Sequence, residues 1–221
     1  PRPNGYLSGF GKVCGEMVGF VQKQDGQGTA TLDMDATLVE SHKAEALFCY
    51  KKFPGYQPLN VWWAEQELVL HTEFRDGNVP AGFEQLRVLK EALNHLPEGV
   101  EQVRIRSDTA GYQHDLLRYC EKGENERFGR IEFAIGCDVT REFKRAVSSV
   151  SEGDWQPVYK EVEGRRVKTD REWAEVCFVP NAIGHSLQGP SYRYLATREA
   201  VRQGVLPGLE DSISLPFPTL E

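Results

Sequence analysis

The chain has 221 residues, 40% of them hydrophobic and 27% charged, which is long enough to bury a core and ordinary for a globular protein. Its net charge of −7, from 26 basic and 33 acidic residues, argues against a broadly basic nucleic-acid surface without excluding a local one. Five scattered cysteines with no Cys-x-x-Cys spacing exclude a disulfide framework, and no apolar run reaches the ~18 residues of a membrane helix. The N-terminus lacks the layout of a secretory signal, and opening on Pro1 rather than Met suggests an excised fragment or processed product.

Residues 7–22 place Leu7, Phe10, Cys14, Met17, Val18 and Val21 at three- and four-residue intervals, one face of a helix weakened by interior glycines. A turn at Asp25-Gly26-Gln27-Gly28 leads into residues 28–40, where the period changes to two. Leu32, Met34, Ala36 and Leu38 fall on one side; Asp33, Asp35 and Thr37 fall on the other. That predicts a strand with an apolar underside and two carboxylates about 6–7 Å apart on its upper face. Like charges so close call for a cation beside them, or for one to keep its proton. A solvated edge strand is the plain alternative, although Asp is depleted in strands.

Residues 41–48 read as a polar segment of helical character, followed by a loop over 50–55. Residues 57–64 and 68–74, around Glu65-Gln66-Glu67, predict an antiparallel hairpin that Arg75-Asp76-Gly77-Asn78 closes off. Phe83, Leu86, Leu89, Leu93 and Leu96 predict an amphipathic helix over 81–96, ended by Pro97-Glu98-Gly99. A strand over 100–106 then runs into Ser107-Asp108-Thr109-Ala110-Gly111, a helix over 113–120 with Leu116 and Leu117 inward, a strand over 130–137 and a helix over 141–150. Such an order predicts a mixed sheet with helices packed on it. Past residue 150 the texture changes to strands over 155–162, 172–179 and 191–196, with Glu163-Gly164-Arg165-Arg166 as a turn.

Asp108 sits just past the C-terminal end of its strand, the position where ligands bind in open α/β sheets. Capping of the following helix accounts for most acids in such turns and is the favoured reading of Asp108 taken alone. Asp108 gains weight if the strand bearing Asp33 and Asp35 lies alongside.

Together these stretches resemble a family. LDMDAT on the first core strand, YQPL before the hairpin, FRDGN, RIRSDTAGY and the late RYLATRE are similar, in that order and from about residue 28 to 198, to bacterial insertion-sequence transposases with an RNase H-like DDE core. The resemblance implies an α/β (α+β mixed-sheet) fold: an RNase H-like catalytic core over 1–150, a β-rich insertion over 151–198 and an irregular tail over 199–221. It also implies phosphodiester hydrolysis and strand transfer at transposon ends, with three carboxylates holding divalent ions, Mg2+ or Mn2+. Matched residue by residue, the first acid falls on Asp35, with Asp33 a near neighbour on the same face, and the second on Asp108. The third, a Glu on a late helix, has no match. Glu199 follows an Arg but ends a predicted strand, so the third acid is expected beyond residue 221 and the isolated chain is expected to be inactive. The partners implied are transposon-end and target DNA, with a homodimer as a candidate assembly, no membrane, and a location in the bacterial cytoplasm at the nucleoid.

Lys160, Arg165, Arg166 and Lys168 at the turn of the insertion are the candidate DNA-backbone contacts, though a solvated turn would carry the same charges. Arg104 and Arg106 share a strand face within reach of phosphate and read first as surface charges. Of Trp62 and Trp63, one is expected in the core and one exposed. The histidines show no paired ligand spacing.

A rival remains. LDMDATL also resembles the haloacid-dehalogenase signature, with Asp33 as nucleophile, Asp35 as acid/base and Mg2+. That fold wants a doubly buried parallel strand before the first Asp, which Gly28-Thr29-Ala30-Thr31 is not. A third reading is a non-catalytic DNA-binding remnant.

Overall fold

The alternation around the acids is realised as β1 (Thr29–Ala36), where buried Ala30, Leu32 and Met34 interleave with more open Thr31, Asp33 and Asp35. A computed structural model describes residues 5–178, 192–200 and 218–220, in two units, Pro1–Asp138 and Val139–Glu221. The first unit runs α1 (Gly5–Gln24), β1, β2 (Val39–Glu40), β3 (Leu47–Phe48), β4 (Pro54–Tyr56), β5 (Leu59–Trp63), β6 (Leu68–Glu73), α2 (Gln85–His95), β7 (Gln102–Ser107), α3 (His114–Lys122) and β8 (Glu132–Ile135).

Five of these strands form one mixed sheet in the order β6-β5-β1-β7-β8. The hairpin strand β5 is antiparallel to β1 and β6, while β1, β7 and β8 are parallel. Parallel neighbours need a crossover, and α2 and α3 supply the helices of the two connections. Leu32, Met34, Val61, Trp63 and Ile105 pack with Val88, Leu89 and Leu93 of α2 and Leu116 and Cys120 of α3 in one core. Each such side chain, fully buried, contributes about 1.5–3 kcal/mol. Trp63 is 0% exposed and Trp62 37%, so the pair divides between the faces as its spacing requires.

The second unit holds α4 (Arg141–Ser148), capped by the Thr140 hydroxyl accepting from the Phe143 amide at 3.2 Å. It continues with β9 (Gln156–Val162), β10 (Arg165–Val176), β11 (Tyr194–Ala200) and β12 (Pro218–Leu220), an antiparallel sheet in the order β12-β11-β10-β9. Phe143, Val147, Trp155, Ala174, Val176, Tyr194 and Ala196 are its buried apolar residues.

Three expectations are corrected. Residues 41–48 are not helical; they form a loop ending in β3, where Phe48 pairs with Pro54. So short a segment with no buried apolar stripe cannot offset the cost of helix nucleation. The helix expected from 81 begins at Gln85, because Glu84 adopts a left-handed conformation (φ 49°) that breaks it, and Phe83 is left 52% exposed. On α1, Val18 is buried but Phe10 and Met17 are exposed, so the packed stripe is narrower than the apolar spacing. Residues 201–217 and 221 of the expected tail lie outside the described residues, as do 179–191. Among the described residues no helix is long and apolar enough to cross a membrane.

Candidate active site

Register decides where the acids meet. The parallel ladder of β1 and β7 pairs Leu32 with Ile105, Asp33 with Arg106 and Met34 with Ser107. Met34 with Ser107 is the last pair of the ladder, and Asp35 and Asp108 are the next residue of each chain segment, at the C-terminal ends of adjacent strands about 4.8 Å apart. Alternation sets Asp33, Asp35 and Arg106 on the face opposite buried Leu32, Met34 and Ile105. Asp108 keeps an extended backbone (φ −71°, ψ −167°), so the alternation carries on to it.

Each acid has its own surroundings. Asp35 is exposed. Asp108 Oδ1 accepts from the Ala110 amide at 2.9 Å, capping the 3-10 turn Thr109–Gly111 and leaving its other oxygen to the site. The Ser107 hydroxyl donates to the Met34 carbonyl at 3.1 Å, and the Gly136 amide donates to the Ser107 carbonyl at 3.0 Å, tying the turn to both neighbouring strands. Gly111 is required there: a Cβ would lie 2.6 Å from Ser107 Cβ and Oγ.

Asp33 is engaged otherwise. Its Oδ1 and Oδ2 accept from Arg106 Nε and Nη2 at 2.5 and 2.6 Å, a fork that fixes the guanidinium and raises its pKa, first through these hydrogen bonds. A pair this exposed adds little stability, so its consequence is orientation. The structure thus leaves Asp35 and Asp108 each one residue past the last ladder pair and sets Asp33 two levels below Asp35, with both its oxygens on Arg106. Arg106 is the exposed surface charge expected on this strand; what the sequence reading did not name is its partner, Asp33. The available signal was the shared spacing of Asp33-x-Asp35 and Arg106-x-Asp108 on strands meant to run parallel. Arg104 pairs with Glu132 at 2.8 Å.

Two exposed carboxylates at the ends of adjacent strands are hard oxygen donors of the kind that Mg2+ or Mn2+ takes, with water and phosphate in the remaining positions. Among the described residues no three His, Cys, Asp or Glu side chains gather into a metal-holding group, so the pair is a partial set. The phosphatase alternative needs a free Asp33 as nucleophile. Here both its oxygens are taken, and β1 has an antiparallel neighbour in β5.

Lys160, Arg165, Arg166 and Lys168 lie at the exposed end of the β9–β10 hairpin, whose turn is Glu163-Gly164, both at positive φ. Cross-strand register splits them: Lys160 and Arg165 share one face, Arg166 and Lys168 the other. The Arg166 guanidinium stacks 4.4 Å from the Tyr159 ring centre.

Residues 12–181 match the family described as transposase DDE domain, group 1. None of the curated proteins matches the chain. Among solved structures, the chain is similar to piggyBac transposase in a synaptic complex with hairpin DNA, seen by cryo-EM, with 12% identity and a TM-score of 0.40 over 66% of this chain. The similarity spans 30% of that protein's chain.

Proposed function

The chain belongs to the group 1 transposase DDE domain family, and from that premise we propose that its first unit carries the acid pair of a metal-dependent phosphodiester hydrolase and strand transferase acting at transposon ends. The observation that supports this most is the β1–β7 ladder, whose last pair, Met34 with Ser107, immediately precedes Asp35 on one chain segment and Asp108 on the other. A five-strand order with only the second strand reversed, as in the RNase H-like plan, supports it further.

In this reading Asp35 and Asp108 hold the divalent ion through carboxylate oxygens. When bound, the ion supplies Lewis acidity to a phosphoryl oxygen and lowers the pKa of the attacking water or 3′-hydroxyl. Asp108 is preset for its role by the Ala110 amide and the Ser107–Met34 link. Asp33 orients Arg106 instead of binding the ion. Glu199 is paired with Arg171 at 3.6 Å on the β10–β11 ladder and is not proposed as a third ligand. The hairpin with Lys160, Arg165, Arg166 and Lys168 contacts the DNA backbone. A homodimer, and a place at the nucleoid in a bacterial cytoplasm, belong to the same proposal.

The test is cleavage of transposon-end DNA by the full-length protein in Mg2+ or Mn2+. Asp35→Ala and Asp108→Ala should each lower the rate by more than the 10–100-fold typical of residues outside a metal's ligand set. DNA bound but never cleaved in either metal would leave a binding remnant and overturn the enzymatic reading.

A further inference from the structure

The ribbon formed by β1 and β5 does not stop where the five-stranded sheet does. Ala36 pairs with Leu59, the Thr37 amide donates to the Pro58 carbonyl at 3.0 Å, and Val39 and Glu40 then pair with Tyr56 and Gly55 in unbroken register. Strands β2 and β4 are thus a continuation of the same antiparallel ladder beyond the strand end that carries Asp35. On the far side of β4, β3 adds Leu47 opposite Gly55 and Phe48 opposite Pro54. The result is a three-stranded apron, β2-β4-β3, overhanging the acid end of the sheet.

The apron is well anchored. The Cys49 amide donates to the Phe53 carbonyl and the Lys52 amide to the Cys49 carbonyl, both at 2.9 Å, and the Cys49 side chain is buried. Gly77 lies so close that a Cβ would sit 2.5 Å from the Gly55 carbonyl oxygen and 2.6 Å from that of Leu47, so the 75–79 loop seals part of it. Phe48 is 68% exposed and Tyr50 72%, next to exposed Lys43, Lys51 and Lys52. Lys51 Nζ stands 5.8 Å from the Tyr50 ring centre. Between residues 41 and 53 there are three lysines and a single acid, Glu45, in a chain whose net charge is −7.

Large exposed aromatics cost free energy unless something covers them. Aromatics interleaved with cations match one kind of occupant better than a protein or a duplex: unpaired nucleotides, whose bases stack on rings while the backbone follows the positive charge. We propose that the apron is a docking surface for single-stranded nucleic acid, in which Phe48 and Tyr50 stack on bases and Lys43, Lys51 and Lys52 contact phosphates. It rests on the nucleic-acid function proposed above and extends it. Four residues of extended chain separate Asp35 from Val39, about 13 Å, or some four nucleotides of a stacked strand. Strand β3, with Phe48, lies two strand spacings across from β2, about 9.6 Å.

The test uses the 221-residue chain, a labelled 12-nucleotide single strand and the same sequence as a blunt duplex, followed by fluorescence polarisation at several salt concentrations. Phe48→Ala with Tyr50→Ala should weaken single-strand binding about tenfold for each stacked base lost and change duplex binding far less. Lys51→Ala with Lys52→Ala should lower the slope of log affinity against log salt by about 1.4, at roughly 0.7 per phosphate contact. Unchanged thermal melts establish that the variants fold. If the wild-type chain binds DNA and both variants bind it equally with the same slope, the apron inference is wrong while the transposase reading stands. If the wild type binds no DNA at all, that reading fails first. Loss of self-association in sedimentation, with DNA binding intact, would assign the apron to a second copy of the chain and overturn the inference.

Discussion

The hydroxyl of Ser107 donates to the carbonyl of Met34 at 3.1 Å, one residue before Asp108 on β7 and one before Asp35 on β1. It fixes the lateral register of the two strands at the last level before the acids. Ser107→Ala should cost about 0.5–1.5 kcal/mol in urea unfolding. It should also weaken Mn2+ binding, because the two carboxylates lose the link that aligns them. Undiminished Mn2+ affinity would show that the strand ends hold their register without it.

Asp33 and Arg106 form a unit apart from the cation site. Asp33→Asn should leave Mn2+ affinity close to wild type, whereas Asp35→Asn should remove most of it. The double-mutant cycle of Asp33→Asn with Arg106→Gln should return a stability coupling of about 0.2–1 kcal/mol, the range of exposed pairs. Equal loss of Mn2+ binding in Asp33→Asn and Asp35→Asn would make Asp33 a ligand after all.

Gly111 has no room for a side chain against Ser107. Gly111→Ala should destabilise the first unit by about 1–3 kcal/mol, the usual cost of overpacking, and displace the turn that presents Asp108. Gly153→Ala, where nothing lies within 4 Å of the added Cβ, is the control and should be near neutral. Calorimetric melts of the two variants distinguish them.

His71 on β6 is largely buried, with its ring 5.0 Å from His95 and Nε2 3.4 Å from the Glu91 carboxylate. Burial, then the neighbouring His95 and more weakly Arg87, pull its pKa below the ordinary 6.5, against opposing pulls from Glu91 and Glu73. The unfolded chain therefore takes up this proton first as pH falls. The contribution of His71 is complete above about pH 6.5 and is lost as pH falls through its lower folded value. Urea midpoints should decline between pH 7 and 5, and His71→Gln should flatten that decline. A slope identical in the variant would remove His71 as the cause.

The basic hairpin tip presents two cations on each face. A two-stranded ribbon fits the major groove, where both faces meet phosphate walls. Lys160→Ala with Arg165→Ala, and Arg166→Ala with Lys168→Ala, should then each lower the salt slope of duplex binding by about 1.8. An effect confined to one pair would mean that the ribbon lies flat on the backbone.

Much of the core was legible because its residues obey simple periods. Leu32, Met34, Asp33 and Asp35 alternate, Leu116 and Leu117 lie inward on α3, and the hairpin β5–β6 follows from two apolar runs around a short polar turn. The apron was not legible. Its strands are two or three residues long, too short for any period, and Pro54 and Gly55 read as loop punctuation. What creates it is the long-range ladder from β1 and β5, which no local pattern encodes. Phe83 was misplaced for a related reason: its spacing continues the α2 stripe, but the left-handed Glu84 turns the chain before the helix begins. The role of Arg106 depends on which strand lies beside which, and that is a property of the sheet.

The most direct measurement is Mn2+ binding by titration calorimetry to the wild-type chain, Asp35→Asn, Asp108→Asn and the double variant. If the two carboxylates share one cation, each single substitution should abolish most of the binding and the double should be no worse than either. Binding that survives both substitutions, or losses that simply add, would mean that Asp35 and Asp108 do not hold a common ion.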